Sequence, residues 1–143
     1  MPTHKEVTFL VIEDDDLDFK TLTRSFRNLR MVNPVRRAMD GLDALNILRG
    51  ENGAERVEPP YLIILDLTMP RMSGFEFLDH LRIDPELSLD VVFILTSSDS
   101  DEDITEAYRR HIAGYIKKSD PENTFLEALS MIDTYWRVVE LPK

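Results

Sequence analysis

Five large apolar residues in succession, Tyr61-Leu62-Ile63-Ile64-Leu65, stop abruptly at Asp66, and Leu67-Thr68-Met69-Pro70 and Gly74 follow. A strand with one wet face alternates apolar and polar residues. An unbroken apolar run reads instead as a strand buried on both faces, the pattern of a parallel sheet covered by helices. The carboxylate that ends such a strand lies at the carboxyl edge of the sheet, where open α/β folds bind ligands. A single Asp in that place is more often a helix N-cap or a turn former than a reactive group. The residues around the other strand ends shift that balance.

Phe9-Leu10-Val11-Ile12 runs into Glu13-Asp14-Asp15-Asp16, and Val91-Val92-Phe93-Ile94-Leu95 runs into Thr96-Ser97-Ser98. A shorter run, Ala113-Gly114-Tyr115-Ile116, leads to Lys117-Lys118-Ser119. Between these strands lie helical patterns, and regular alternation of the two argues for βαβ units. The spacing predicts strands near 7–12, 34–39, 61–66, 91–96 and 113–117. It predicts helices over about 16–30, 42–50, 74–82, 101–111 and 121–139. Leu17, Leu22, Phe26 and Leu29 are assigned to the buried face of the first helix, and Leu42, Leu45 and Leu48 to that of the second. Residues 50–60 form a long polar connection, expected to be mobile. Five βα units fill residues 1–143 as a single domain, with 121–143 forming the last helix and a C-terminal tail.

Bulk properties narrow the function. The net charge of −10, with no long basic run, argues against nucleic acid as a direct partner. There is no cysteine, which excludes disulfides and thiolate metal sites. No apolar run approaches the ~18 residues of a membrane span, and Met1–Glu6 lacks the apolar core of a signal peptide, so a cytoplasmic protein is expected. His4, His80 and His111 show no metal-ligand spacing, and neither dinucleotide nor P-loop glycine motifs occur.

Carboxylates, a hydroxyl and a lysine on one sheet edge suit phosphoryl chemistry. A carboxylate can attack phosphorus and hold the group as an acyl phosphate, and Asp66 is the candidate nucleophile. Glu13, Asp14 and Asp66, with the backbone carbonyl of Thr68, offer hard oxygen ligands of the kind Mg²⁺ prefers. Lys118 can neutralise a phosphate oxygen, or pair with Asp66 when no phosphate is present. The Thr96 hydroxyl can donate to another phosphate oxygen. Thr68 and Ser98 each stand two residues beyond a phosphate-touching group and are expected to tune the lifetime of the phosphorylated state. Taken singly, each motif has a plainer reading as a cap, a turn or a solvated charge. Four strand ends carrying complementary groups make those readings jointly implausible.

At these residues the chain resembles the receiver domain of two-component response regulators, over nearly all of its length. The family's acid pair matches Glu13 and Asp14. Its phospho-accepting Asp, with Met-Pro three and four positions later and Gly eight later, matches Asp66, Met69, Pro70 and Gly74. Its strand-4 Ser/Thr, strand-5 aromatic and lysine match Thr96, Tyr115 and Lys118. The resemblance implies a doubly wound (βα)5, flavodoxin-like fold with a five-stranded parallel sheet of order 2-1-3-4-5. It implies Mg²⁺ as cofactor, held directly by Asp14 and largely through water by Glu13. It implies phosphoryl transfer from a sensor histidine kinase, with output by protein–protein contact or onward relay. Such a chain is no enzyme in its own right, although it assists its own phosphorylation and dephosphorylation. Thr96 would move to the phosphate, Tyr115 would follow, and the surface of the fourth helix, fifth strand and fifth helix would change.

A narrower resemblance is to the stand-alone receivers paired with phytochrome histidine kinases. It rests on Val11–Asp15, the long loop before Tyr61, Leu95–Ser98 followed by Asp101–Ile104, Tyr115–Ser119, and the tail residues Tyr135-Trp136 and Leu141-Pro142. Ser119 departs from the general pattern, in which a proline follows the lysine. Two other classes stay open on the residues: a haloacid-dehalogenase-type phosphohydrolase, in which Thr68 would stand where an Asp is wanted, and a receiver-like binding module that never takes phosphate. A homodimer is also expected. Phe125, Leu129, Ile132 and Trp136 suffice to cover a sheet, which leaves Met131, Tyr135 and Val138 as a second apolar stripe, with Val139 and Leu141 extending it.

Overall fold

In the computed structural model, which describes residues 6–69, 71–118 and 122–142, strands and helices alternate from end to end. The elements are β1 (Thr8–Ile12), α1 (Asp16–Asn28), β2 (Val35–Ala38), α2 (Gly41–Arg49), β3 (Tyr61–Leu65), α3 (Gly74–Ile83), β4 (Val92–Thr96), α4 (Asp101–Arg109), β5 (Gly114–Lys117) and α5 (Glu122–Val138). The strands form one sheet in the order β2-β1-β3-β4-β5, every pairing parallel. Fold class and strand order are those anticipated.

Successive residues of a strand face opposite sides, so the apolar runs feed two separate cores. Leu10, Ile12, Ile63, Leu65, Val92 and Ile94 pack with α2, α3 and Ala107 of α4. Phe9, Val11, Leu62, Ile64, Phe93 and Leu95 pack with Leu22 and Phe26 of α1 and Leu129 and Ile132 of α5. Phe9, Phe77 and Phe93 are sealed from solvent, each worth roughly 2–3 kcal/mol of transfer free energy.

Register positions the site. Ile12 pairs with Leu65, and Leu65 with Ile94, so Glu13 and Asp66 emerge side by side at the carboxyl edge. Thr96 pairs with Lys117, which brings Lys118 to the same rim. Backbone bonds continue past the strand ends: Asp66 N–H to the Ile12 carbonyl (3.2 Å) and Lys118 N–H to the Thr96 carbonyl (2.7 Å).

Three expectations need correction. Leu17 is 71% exposed, because the buried stripe of α1 is Phe19, Leu22, Phe26 and Leu29, and Leu17 lies five residues before Leu22, off that face. Leu42 is also exposed, and Ala44, Leu45, Ile47 and Leu48 bury the face of α2. The 50–60 connection is anchored: Val57 is buried with its N–H on the Ile47 carbonyl (3.1 Å), and Arg36 holds the Glu55 carbonyl (2.7 Å).

Candidate functional site

Asp66 is buried at the rim with both carboxylate oxygens occupied. Oδ1 accepts from the Thr96 hydroxyl (3.0 Å) and from the Thr68 N–H (3.2 Å), and Oδ2 accepts from Lys118 Nζ (3.2 Å). The Thr68 contact is an Asx turn, the local habit of an Asp at a strand end. Gly74 follows from close packing. A Cβ there would come within 2.7 Å of the Leu67 Cα and 2.8 Å of the Asp66 carbonyl oxygen, both backbone atoms that cannot yield. Any side chain would therefore push α3 off the turn that follows Asp66. Ser73 and Glu76 start that helix with a capping box.

Lys118 sits between three acids. Its ammonium donates to Glu13 Oε1 (2.5 Å), Asp18 Oδ2 (3.0 Å) and Asp66 Oδ2 (3.2 Å). Burial by itself would lower its pKa, yet these carboxylates hold it above the usual lysine range. Burial pushes the Glu13 carboxyl up to about 7, against the bond from Lys118 and with help from the nearby Asp66 charge. Among the described residues, oxygens of Glu13, Asp18 and Asp66 lie within 4.8 Å of one another. With all three ionised, one ammonium leaves two negative charges uncompensated. Hard oxygen donors with a twofold charge deficit fit a divalent cation.

The structure brings Glu13, Asp66, Thr96 and Lys118 together. Asp14, expected as a direct cation ligand, stands outside the three-acid cluster, and Asp18 takes the third place. Asp15 N-caps α1 by accepting from the Asp18 N–H (2.9 Å), and Asp18 lies in the first turn. A helical side chain leans back toward the helix N-terminus, so an acid in that first turn reaches the sheet edge; that was the available signal. The Thr96 hydroxyl is engaged by Asp66 itself. Tyr115 donates to the Ser98 carbonyl (2.9 Å), and the Ser98 hydroxyl donates to Asp103 Oδ2 (2.7 Å) in the first turn of α4. A chain of contacts thus runs from Asp66 through Thr96 and the Ser98 loop to Tyr115 and α4. Thr68 is exposed at the rim, and Met69 is half-buried; Pro70 and Ser119 lie outside the described residues.

Two arginines absent from the sequence reading brace the rim. Arg71 converges on one oxygen of the buried Asp40, the N-cap of α2, with Nε and Nη2 both 2.6 Å from Oδ2 while Oδ1 accepts from the Asp43 N–H. Arg37 reaches up from β2 to the acidic loop after β1. Arg37 lies within β2, away from the strand-end motifs, and Arg71 directly follows Met69-Pro70, but neither partner is near in sequence, so the linear pattern did not show what they hold.

On α5, Tyr135 is not free as expected. Its ring stands edge-on to Phe93, centroids 5.1 Å apart and planes at 88°, because Tyr135 faces the sheet beside Leu129 and Ile132. Met131 (46%) and Val138 (75%) are exposed. Phe125 has no described side chain.

A family model for the response regulator receiver domain matches residues 9–130. Response regulator Rcp1 of Synechocystis is 28% identical over 134 residues, spanning 93% of this chain and 91% of the relative. The crystal structure of its Mn²⁺-bound form superposes with a TM-score of 0.83 over 96% of this chain and 99% of that one. The phosphorylated cyanobacterial phytochrome response regulator RcpA gives a TM-score of 0.85 at 28% identity, covering 96% and 99%. A response regulator in red light signalling of R. palustris gives 0.85 at 33% identity over the same shares, 96% and 99%.

Proposed function

The chain belongs to the response regulator receiver family, and from that premise we propose that Asp66 accepts a phosphoryl group from the phosphohistidine of a sensor histidine kinase. The observation that carries this reading is the Asp66 carboxylate at the sheet rim, with Thr96 on one oxygen and Lys118 on the other. An Asp66 oxygen forms the new P–O bond as the P–N bond to the donor imidazole breaks and its electron pair returns to the ring nitrogen. Lys118 turns from the carboxylates to an oxygen of the arriving group, and Thr96 donates to another. Glu13, Asp14 and Asp66, with the Thr68 carbonyl, are read as the donors for Mg²⁺, and Asp18 adds charge beside them. The ion, when bound, neutralises charge on the transferring phosphoryl group. Hydrolysis of the acyl phosphate later restores Asp66, with Thr68 and Ser98 tuning its rate. The phosphohydrolase and inert-module readings are not favoured.

Incubation with acetyl phosphate and Mg²⁺ is expected to add one phosphoryl group, labile to hydroxylamine and seen by intact mass. Asp66→Asn should take up none; uptake at the wild-type rate would overturn the assignment. In the same assay Thr68→Ala and Ser98→Ala should alter the decay after acetyl phosphate is removed while leaving uptake nearly intact.

Relatives described as phytochrome or red-light regulators support a phytochrome-type kinase as the donor. Residues 1–143 are read as one cytoplasmic receiver unit whose output is protein–protein contact. Self-association through α5 fits the exposure of Met131 and Val138, while Tyr135, packed on Phe93, holds the helix to the sheet. Light scattering at tens of micromolar should show a dimer, lost in a Met131→Glu, Val138→Glu double variant. A monomeric wild type, with and without a phosphate mimic, would sink this part.

A further inference from the structure

We propose that Arg37 is a positioning residue that sets the cation affinity of the acid site without touching the cation. The inference rests on the reading that Glu13 and its neighbours bind a divalent ion. Glu13 begins the loop that carries the acids, and β2 grips its backbone from both sides. Its N–H donates to the Ala38 carbonyl (3.0 Å), and its own carbonyl accepts from Arg37 Nε (3.0 Å). A peptide unit is planar, so fixing the Glu13 carbonyl fixes the plane that leads to the Asp14 Cα. One guanidinium bond therefore orients both members of the acid pair.

The guanidinium is itself held in place. Nη1 donates to Asp16 Oδ1 (2.8 Å), and the group lies 4.6 Å over the Phe19 ring. Nη2 is buried with no hydrogen-bond partner among the described residues, so the pose follows from these three contacts rather than from saturation of every donor. Only a planar fork supplies Nε to a carbonyl and Nη1 to a carboxylate at the same time.

Charge and position act in opposite directions here, and that makes the idea testable. As a nearby positive charge, Arg37 repels a cation, so charge alone requires its removal to tighten binding. As the brace of the Glu13–Asp14 peptide, its removal must loosen the donors and weaken binding. Outer partners that orient metal ligands commonly contribute about tenfold or more in affinity.

The test is calorimetric titration of Mn²⁺ and Mg²⁺ into wild type, Arg37→Met, Arg37→Lys and Phe19→Leu. Arg37→Met should bind about tenfold more weakly, and Arg37→Lys similarly, since it keeps the charge and loses the fork. Phe19→Leu, which leaves every charge in place, should weaken binding by less. Phosphoryl uptake should need more metal for half-saturation in all three, with the rate at saturating metal nearly that of wild type. Tighter or unchanged binding in Arg37→Met overturns the proposal. So does an equal fall in affinity and saturated rate with loss of the folded signal in chelator, which would mark Arg37 as a general support of the fold. A wild type that binds neither ion defeats the cation-site reading itself, whereas unchanged variants of a wild type that binds defeat only the role of Arg37.

Discussion

At the amino-terminal edge of the sheet Arg82 donates to four backbone carbonyls, of Ser88 (2.9 Å), Asp90 (2.8 Å), Arg110 (2.8 Å) and His111 (2.9 Å). At the carboxyl edge Lys118 donates to three carboxylates. Burial draws the Arg82 guanidinium below the usual arginine range, since neutral carbonyls return little of the lost hydration. Lys118 is held up by its anionic partners in spite of burial. A carbonyl in the main chain has no second conformation and no proton to exchange. A carboxylate can pass from an ammonium to a metal ion or a phosphoryl group. One end of the molecule is thus closed by bonds without alternatives, and the other by bonds that can be exchanged. That contrast separates scaffold from site within one small domain.

The largest expected effect lies at the closed end. Arg82→Met leaves four carbonyls without their donor and should cost about 3 kcal/mol in urea unfolding. Phosphoryl uptake per folded molecule should stay near wild type. A variant of normal stability, or a folded one that no longer takes phosphate, would break the division. At the open end, Lys118→Met leaves three crowded carboxylates and should cost about 2 kcal/mol in chelator. Most of that deficit should vanish when Mg²⁺ or Mn²⁺ is added, while the Arg82→Met deficit should not. Equal responses of the two variants to the ion would erase the distinction.

A smaller effect sharpens the comparison by pH. Asp90 is pushed up to about 6 by burial, against the Tyr61 hydroxyl (2.5 Å) and the Arg82 charge. The folded carboxyl therefore holds its proton more tightly than the unfolded one. Its contribution to stability is complete below the ordinary Asp pKa near 3.8 and is lost as pH rises through about 6. Allowing for solvent screening of a half-buried group, the loss is about 1 kcal/mol. Asp90→Asn keeps an acceptor for Tyr61 without the charge, so unfolding free energy between pH 4 and 7 should vary less than in wild type. An unchanged profile would show that Asp90 is not the group responsible.

Much of this is legible in the sequence. Unbroken apolar runs can be satisfied only by burial on both faces, and their alternation with helical patterns leaves few arrangements other than a doubly wound sheet. Asp66, Glu13, Thr96 and Lys118 were recognisable because each ends a strand, and in parallel sheets the carboxyl ends converge. Less legible was everything that depends on how one element leans on another. Asp18 ends no strand and so did not stand out in the linear pattern, and Tyr135 read as part of an unpartnered stripe, because a helical wheel states which residues share a face but not which neighbour meets it. Leu17 went astray through the opposite fault, a residue counted into a stripe whose phase it does not keep.

The sequence by itself determined the fold class, the strand order through family resemblance, and the chemistry available at the rim, since those depend on local periodicity and on residue type at strand ends. Tertiary structure alone decided which acid stands third around Lys118, that Tyr115 is tied to the Ser98 carbonyl, and that Arg37 and Arg82 brace opposite edges. The physical reason is reach. A long side chain chooses its partners by distance in space, and those distances exist only once register and helix packing have been set.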